Sequence, residues 1–487
     1  MHFTVTSAIR TAGLALATRT PMSPSMLFGT ATVKLNGDTA PAWDALSTKV
    51  RETATGQRLA DEEALRKEGR GGTHTDALLR LFDAKSEDDV RVTLYRDNAA
   101  WCPYCQKVWL LLEEKKIPFK VSKINMRSYG DKPTWFTNLV PGGFLPVIEL
   151  DGKVITESLV IMQLLDTTFA DQGPPMVPPA DTKERQLAQE LLQLERQLFG
   201  AWCSLTFQPG KGIFDSNERG FLETLRKVDD ALLATDGPWF LGGSDPSLVD
   251  LQYISHVERM IASVLYWKGL KLRNTGDFPG LDKWLKAFEE RPSYLATKSD
   301  YYTHVRDIPP QYGNGFGIKE ADAFAAAIAG KDGSWWQMPY SEEKLASHTI
   351  EPLAPLQLSG EDAARHEAAY KLTSNFKAVS RFAARGAGTP GGWSGPGKAE
   401  LADPYAKPNE EYIEPVDACL RHVANALIYG ADAAEEAAKA DLKGIDANGK
   451  LADCLVYLRD RVGVPRDMGQ AAAVALRSHL NWAIGLM

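Results

Sequence analysis

The chain has 487 residues, 44% of them hydrophobic, with a formal net charge of -8 and five cysteines. That length suggests about two to four domains and ample buried core. The charge lends no support to a nucleic-acid partner, and no apolar run approaches the roughly 20 residues of a membrane span. Cysteines without a regular framework argue for a reducing compartment.

Residues 1–37 differ from the rest. Arg10, Arg19 and Lys34 are their only charged side chains apart from a possible charge on His2, Ser, Thr and Ala are abundant, and the first acidic residue is Asp38. An acidic-poor, Ser-rich opening is the composition of an organelle transit peptide, the alternative being a disordered tail. Residues 38–87 carry mixed charge and one short amphipathic run, Ala77 to Phe82, to which no chemistry is assigned.

The chemistry-bearing stretch runs from Val90 to Asp166, centred on Trp101-Cys102-Pro103-Tyr104-Cys105. Val90, Val92 and Leu94 alternate as in a strand, and Val108, Leu111 and Leu112 share one helical face, so the two cysteines fall at a strand-to-helix turn. The free N–H groups and the dipole of a helix start stabilise an anion there. Cys102 is therefore expected to be the more acidic thiol, since such positions commonly bring a thiol from near 8.5 to roughly 3.5–7.5. Pro103 suits the first helical position, and Cys105, one turn on, could resolve a mixed disulfide formed at Cys102. A zinc site would need a second ligand pair, whereas Cys203, Cys419 and Cys454 are isolated.

Phe119 to Ile124 reads as a second strand, and Val147 to Leu150 with Val154 to Ile155 as a hairpin turning at Asp151-Gly152. Leu145-Pro146 opens that hairpin, where a proline is tolerated. Glu157-Ser158 opens an apolar helix: with Ser158 as cap, its N–H and O–H groups could receive a carboxylate while Glu157 receives an ammonium, which together suit an amino-acid head group.

The ordered set CPYC, Lys132-Pro133-Thr134-Trp135-Phe136, Leu145-Pro146-Val147 and Glu157-Ser158 resembles the glutathione-binding domain of cysteine-type glutathione transferases, most closely the iota and omega groups. CPYC is also the dithiol glutaredoxin motif. The resemblance implies an α/β thioredoxin-like domain over 88–170 in which Cys102 meets the glutathione sulfur. Tyr104 flanks glutathione or simply packs. The backbone of Leu145, before a cis Pro146, would pair with the cysteinyl unit, Lys132 would lie near the glycine carboxylate, and Glu157 with Ser158 would hold the γ-glutamyl end. Lys132 taken alone reads better as a solvated lysine, and only its place in the Lys132–Phe136 run brings the two readings level; Glu157-Ser158 reads also as a helix cap alone.

The Pro-rich stretch Gly173 to Pro179 reads as a linker to an all-α transferase domain over 180–300. Apolar residues recur there at helical spacing over roughly 181–202, 217–234, 248–267 and 280–290. Ser247-Leu248-Val249-Asp250 is a capping-box pattern with Asp in place of Glu. Trp202, Tyr253, His256 and Trp267 could line a co-substrate pocket between the domains, although aromatic residues at this spacing more often form core. Residues 301–487 form a mainly helical extension, opening on a loop from Ile308 to Gly317 and continuing through helices near 319–329, 361–384, 412–430, 449–462 and 467–485. An extension of this kind is what favours the iota resemblance. Gly392 to Lys398 has phosphate-loop spacing, but Ala399 replaces the magnesium-binding hydroxyl and the preceding segment reads as helix. Cys419 and Cys454 read as buried small hydrophobes.

The resemblance implies an enzyme using glutathione as co-substrate, with no metal. Cys102 thiolate would attack a mixed disulfide, dehydroascorbate or a glutathionyl-quinone adduct. Two alternatives stay open: an isomerase like the glutathione-dependent prostaglandin E synthases, and a non-catalytic ligand-carrying or assembly protein, the latter including a bridged iron–sulfur cluster. A homodimer is implied by the family unless the extension blocks its interface, and the extension could dock a protein partner. The iota association with photosynthetic organisms implies a plastid, with mitochondrion or cytoplasm as alternatives.

Overall fold

In the computed structural model, which describes residues 36–487 apart from Ser334, Thr349 and 393–398, the alternating run ending at Asp97 becomes a strand whose inward residues Val92 and Leu94 are fully buried. The transit-peptide reading falls, but for Asn36 and Gly37, outside the described residues. Two helices come first, α1 (Trp43–Glu52) and α2 (Ala54–Lys67), the second capped by Thr53. The run Ala77 to Phe82 then contributes β1 (Leu79–Arg80), an edge strand antiparallel to the second strand of the thioredoxin-like unit.

That unit continues as β2 (Val92–Asp97), α3 (Pro103–Glu114), β3 (Phe119–Ile124), α4 (Thr134–Leu139), β4 (Val147–Leu150), β5 (Lys153–Ile155) and α5 (Ser158–Thr168). The sheet order is β1-β3-β2-β4-β5, with β2 and β3 parallel and the other pairs antiparallel. A parallel β2–α3–β3 crossover places the start of α3 beyond the C-terminal end of β2, the position where ligands gather in open α/β sheets.

The helical domain follows as α6 (Lys183–Thr206), α7 (Ser216–Leu233), α8 (Leu248–Lys268), α9 (Pro279–Glu289) and the short α10 (Pro292–Leu295). Asp250 Oδ2 accepts from both the N–H and the hydroxyl of Ser247, so the expected capping box opens α8. α8 packs against α3 on one side and α6 on the other, and is buried almost throughout.

The extension is helical, as expected, and departs from the sequence reading in several segments, among them the unread helices Glu342–Ala346 and Ala431–Leu442. Tyr301–Tyr312 forms α11 although Pro309 and Pro310 stand in its last turn; Asp300 caps it through the Thr303 N–H, and burial of Tyr301, Tyr302 and Ile308 outweighs the proline signal. The expected single helix over 361–384 breaks at Asn375 into α14 (Glu361–Ser374) and α15 (Phe376–Ala383), after the shorter α12 (Asp322–Ile328) and α13 (Glu342–Ala346). Asn375 leaves helical geometry at φ -139°, and its carbonyl accepts the Val379 N–H as the next helix starts. The remaining helices are α16 (Ile413–Tyr429), α17 (Ala431–Leu442), α18 (Lys450–Arg461) and α19 (Gln470–Gly485). Cys419 and Cys454 are fully buried free thiols. One continuous apolar core runs from Trp43 through the helical domain to Ala483, so the extension shares the core of the transferase domains.

Candidate active site

The turn between β2 and α3 is held from several sides. Asp97, buried at the end of β2, accepts the Trp101 N–H at 2.7 Å, and Ala100 between them takes a left-handed φ of 62°, costly for a residue with a Cβ. From α8, Arg259 donates to the Trp101 carbonyl at 2.6 Å and to Gln106 Oε1 at 3.1 Å. The extension holds the indole: Trp101 Nε1 donates to the Val464 carbonyl at 3.2 Å, and the Arg466 guanidinium lies 4.7 Å from the ring centroid. Gly463 is required by close approach, since a Cβ there would stand 2.4 Å from Trp101 Cζ2. The residue preceding Cys102 is thus clamped by sheet, helical domain and extension together.

Cys102 is the N-cap of α3, with Pro103 at the first helical position, and is half-buried. Its Sγ lies 4.0 Å from the carbonyl of Leu145, and the Leu145–Pro146 peptide is cis. Cys105 is 1% exposed; burial, then the neighbouring Cys102, pushes its thiol well above the ordinary range. Burial likewise pushes Cys203 up to about 11 and Cys454 up to about 12, and raises Cys419. A raised thiol stays protonated and weakly nucleophilic below its pKa. Native protein treated with iodoacetamide at about pH 8 is therefore expected to gain a single label, on Cys102, with all five cysteines labelled only after unfolding. Peptide mapping of the native product checks this, and a label on Cys105 would contradict it.

Lys132, just before α4, is half-buried with Nζ 5.8 Å from the Phe136 ring centroid. Burial lowers its pKa, opposed by Cys105 and Cys102, which lie within electrostatic reach. Tyr104 projects from α3 toward the helical domain, edge-on to His256 at 5.3 Å. Glu157 and Ser158 follow β5, with one correction: Ser158 does not cap α5. Glu157 takes the cap position in a left-handed conformation (φ 68°), so helical backbone begins at Ser158, which leaves its N–H among the unpaired donors of the first turn.

Of the aromatic residues offered for the co-substrate pocket, Trp202 donates to Ser263 Oγ at 2.8 Å and Tyr253 to the Leu191 carbonyl at 2.7 Å; both are fully buried core. Trp267 is also buried, against the Gly315 segment. His256 differs. Its Nδ1 lies 2.9 Å from Glu195 Oε1 and 3.5 Å from Lys107 Nζ. Burial, then Lys107, pushes His256 down to about 4, so the neutral ring donates Nδ1–H to Glu195. Burial alone would raise Glu195, but the His256 hydrogen bond and Lys107 hold it below its usual value. Lys107 is itself pushed down to about 8 by burial. This buried Lys107–His256–Glu195 group behind Tyr104 was not read from the sequence. Its only signal there is a lysine on α3, a helix packed between α5 and α8, where a charge requires a partner. Tyr312 of the extension also reaches this wall, its ring 5.4 Å from Trp202. The possible metal-ligating group among the described residues is Asp97, Cys102 and Cys105, whose ligand atoms lie within 4.8 Å of one another.

Residues 101–168 match the family description "Glutathione S-transferase, N-terminal domain", and residues 213–287 match "Glutathione S-transferase, C-terminal domain". Glutathione S-transferase DHAR2 of Arabidopsis thaliana is 30% identical over 41% of this chain and 84% of its own length. The chain belongs to the glutathione S-transferase family. Glutathione S-transferase L3 of the same plant is 32% identical over 41% of this transferase and 79% of its own length. A probable glutathione transferase omega-2 of Caenorhabditis elegans is 29% identical over 43% and 82%, respectively. The transferase is of the cysteine type, an enzyme with a thioredoxin-like domain, a helical transferase domain and an added helical region. No helix among the described residues is long and apolar enough to cross a membrane.

Proposed function

We propose that this transferase is a glutathione-dependent thiol reductase with Cys102 as nucleophile. The observation that supports it is the placement of one accessible thiol at the start of α3, 4.0 Å from the carbonyl that precedes a cis proline, while Cys105 is buried one turn on. In the first step Cys102 thiolate attacks the glutathionyl sulfur of a mixed disulfide. The Cys102–glutathione disulfide forms, the old S–S bond breaks, and the departing thiolate takes a proton. A second glutathione thiolate then attacks the glutathionyl sulfur, releasing glutathione disulfide and restoring Cys102. Cys105 could resolve the adduct instead, after losing its proton, giving a Cys102–Cys105 disulfide and free glutathione; two further glutathiones would then reduce that disulfide, restoring both thiols and leaving as glutathione disulfide.

In this reading the Leu145 backbone beside Pro146 pairs with the cysteinyl unit of glutathione, and the Lys132 ammonium attracts the glycine carboxylate. The first turn of α5 at Ser158 receives the γ-glutamyl carboxylate, with Glu157 available to the ammonium. Tyr104 borders the second substrate. The substrates are mixed disulfides, dehydroascorbate or glutathionyl-quinone adducts, and residues 1–37 direct the enzyme to a plastid.

The test is intact mass after incubation with oxidised glutathione. Wild type is expected to gain one reducible glutathionyl group, mapped to Cys102, and Cys102→Ser to gain none. An adduct mapped elsewhere, or none on wild type while glutathione still binds, overturns the proposal. A second reading, half of a bridged iron–sulfur cluster, draws on the proximity of Asp97, Cys102 and Cys105. Visible absorbance on the isolated protein, lost in Cys102→Ser, would favour it.

A further inference from the structure

A cavity of about 930 Å³, with Cys102 outside its lining, lies among α2, β1, α14, α15, α18, α19 and the loop after α18. Its volume is that of a small-molecule pocket. Much of its wall is apolar, including Leu59, Leu79, Val379, Phe382, Leu458 and Leu476. None of its lining residues falls in the segments that match the transferase family, 101–168 and 213–287.

The charges at its wall do not balance. Each carboxylate there is already engaged: Glu63 by Lys67 Nζ at 2.8 Å and the Tyr370 hydroxyl at 3.0 Å, Asp76 by Lys123 at 3.0 Å, and Asp467 by Arg466 at 2.7 Å. Arg461 is held by the Leu401 and Tyr457 carbonyls at 3.2 and 3.3 Å, which leaves Arg66 and Lys371, with no carboxylate within ion-pair distance among the described residues. The field of Lys371 and Arg66 is felt by His74 on the same wall. Burial, then Lys371 and Arg66, pushes that imidazole down to about 3, and since its Nδ1 accepts from the Asp76 N–H, the neutral ring carries its proton on Nε2 as a further donor. Arg66 and Lys371 feel Glu63 and Asp76 only at longer range, since those carboxylates are bonded elsewhere, so an anion with an apolar body could pair with the cations while covering the apolar wall.

We infer that this cavity is a second ligand site, distinct from the glutathione site, for a small amphipathic anion: an apolar body against the leucines and Phe382, with a carboxylate, sulfonate or phosphate head held by Arg66 and Lys371. The inference does not rest on the role of Cys102.

The test uses the full chain and the fluorescent probe 8-anilinonaphthalene-1-sulfonate. Saturable binding at a single site is expected, displaced by laurate but not by the neutral analogue dodecanol. S-hexylglutathione, which competes for the transferase site, is expected to leave the probe in place. Lys371→Glu, at the half-exposed rim, is expected to weaken the probe at least about tenfold, the loss of one charge-assisted contact. Ala378→Trp, which plugs the cavity without changing charge, is expected to do the same, with circular dichroism showing that each variant is folded. Displacement by S-hexylglutathione, equal displacement by laurate and dodecanol, or unchanged affinity in folded Lys371→Glu and Ala378→Trp would each overturn the inference.

Discussion

Cys102→Ser is expected to lower reductase turnover by about 10³-fold or more, the scale seen when a covalent catalyst loses its nucleophile. A serine hydroxyl at the same N-cap remains protonated at neutral pH and cannot form the sulfur–sulfur bond through which the reaction passes. Glutathione affinity is expected to change little, because the proposed contacts at Lys132, Leu145, Glu157 and Ser158 involve other side chains and backbone. Steady-state assays with the mixed disulfide of glutathione and 2-mercaptoethanol, alongside calorimetric binding of glutathione, separate the two quantities. Turnover within tenfold of wild type would remove Cys102 from the mechanism. Cys105→Ser distinguishes the two ways of closing the cycle. Cys105 is buried and held protonated, so if a second glutathione resolves the adduct this variant retains turnover within about threefold, whereas obligatory resolution by Cys105 makes it accumulate the Cys102 adduct.

The thioredoxin-like unit was legible because its signals are local. Alternation at Val92 and Leu94, Pro103 after Cys102, and the Asp151-Gly152 turn each fix backbone within a few residues, and the corresponding strand, helix start and hairpin are present. The same holds for the Ser247–Asp250 box of α8. What the sequence left unread depends on distant residues. The edge strand Leu79–Arg80 is only two residues long and exists because β3 offers an edge. The clamp on Trp101 needs Arg259 from α8 and Val464 and Arg466 from 360 residues downstream or thereabouts, pairings no periodicity reveals. The Lys107–His256–Glu195 group likewise joins α3, α8 and α6, and each member alone reads as an ordinary polar residue. The misplaced cap at Ser158 turns on a left-handed Glu157, a conformation that a residue with a Cβ seldom adopts and that composition does not signal.

Arg477→Ala is expected to destabilise the whole described fold by about 3–5 kcal/mol, the cost of leaving a buried charge without its partner. Arg477 on α19 donates to Asp300 Oδ2 at 2.7 Å and to the Val462 carbonyl at 2.7 Å, with its side chain fully buried and that of Asp300 4% exposed. Its guanidinium lies 4.8 Å from the ring centroids of both Tyr302 and Trp336. Asp300 also caps α11, so it stands where the transferase resemblance ends and the extension begins. Truncating Arg477 strands that carboxylate and releases Val462, two residues before the carbonyl that holds the Trp101 indole. Urea unfolding at neutral pH, followed by far-ultraviolet circular dichroism, is expected to show the lower midpoint. The paired replacement Arg477→Met with Asp300→Asn, which removes both charges, is expected to recover part of the loss. A midpoint for Arg477→Ala equivalent to within about 1 kcal/mol of wild type would mean that the pair is solvated and that the seam is weaker than its burial implies. If the loss is as large as expected, cutting the chain at Asp300 will not yield a smaller working transferase, because the residue beside the nucleophile would lose the loop on which its indole rests.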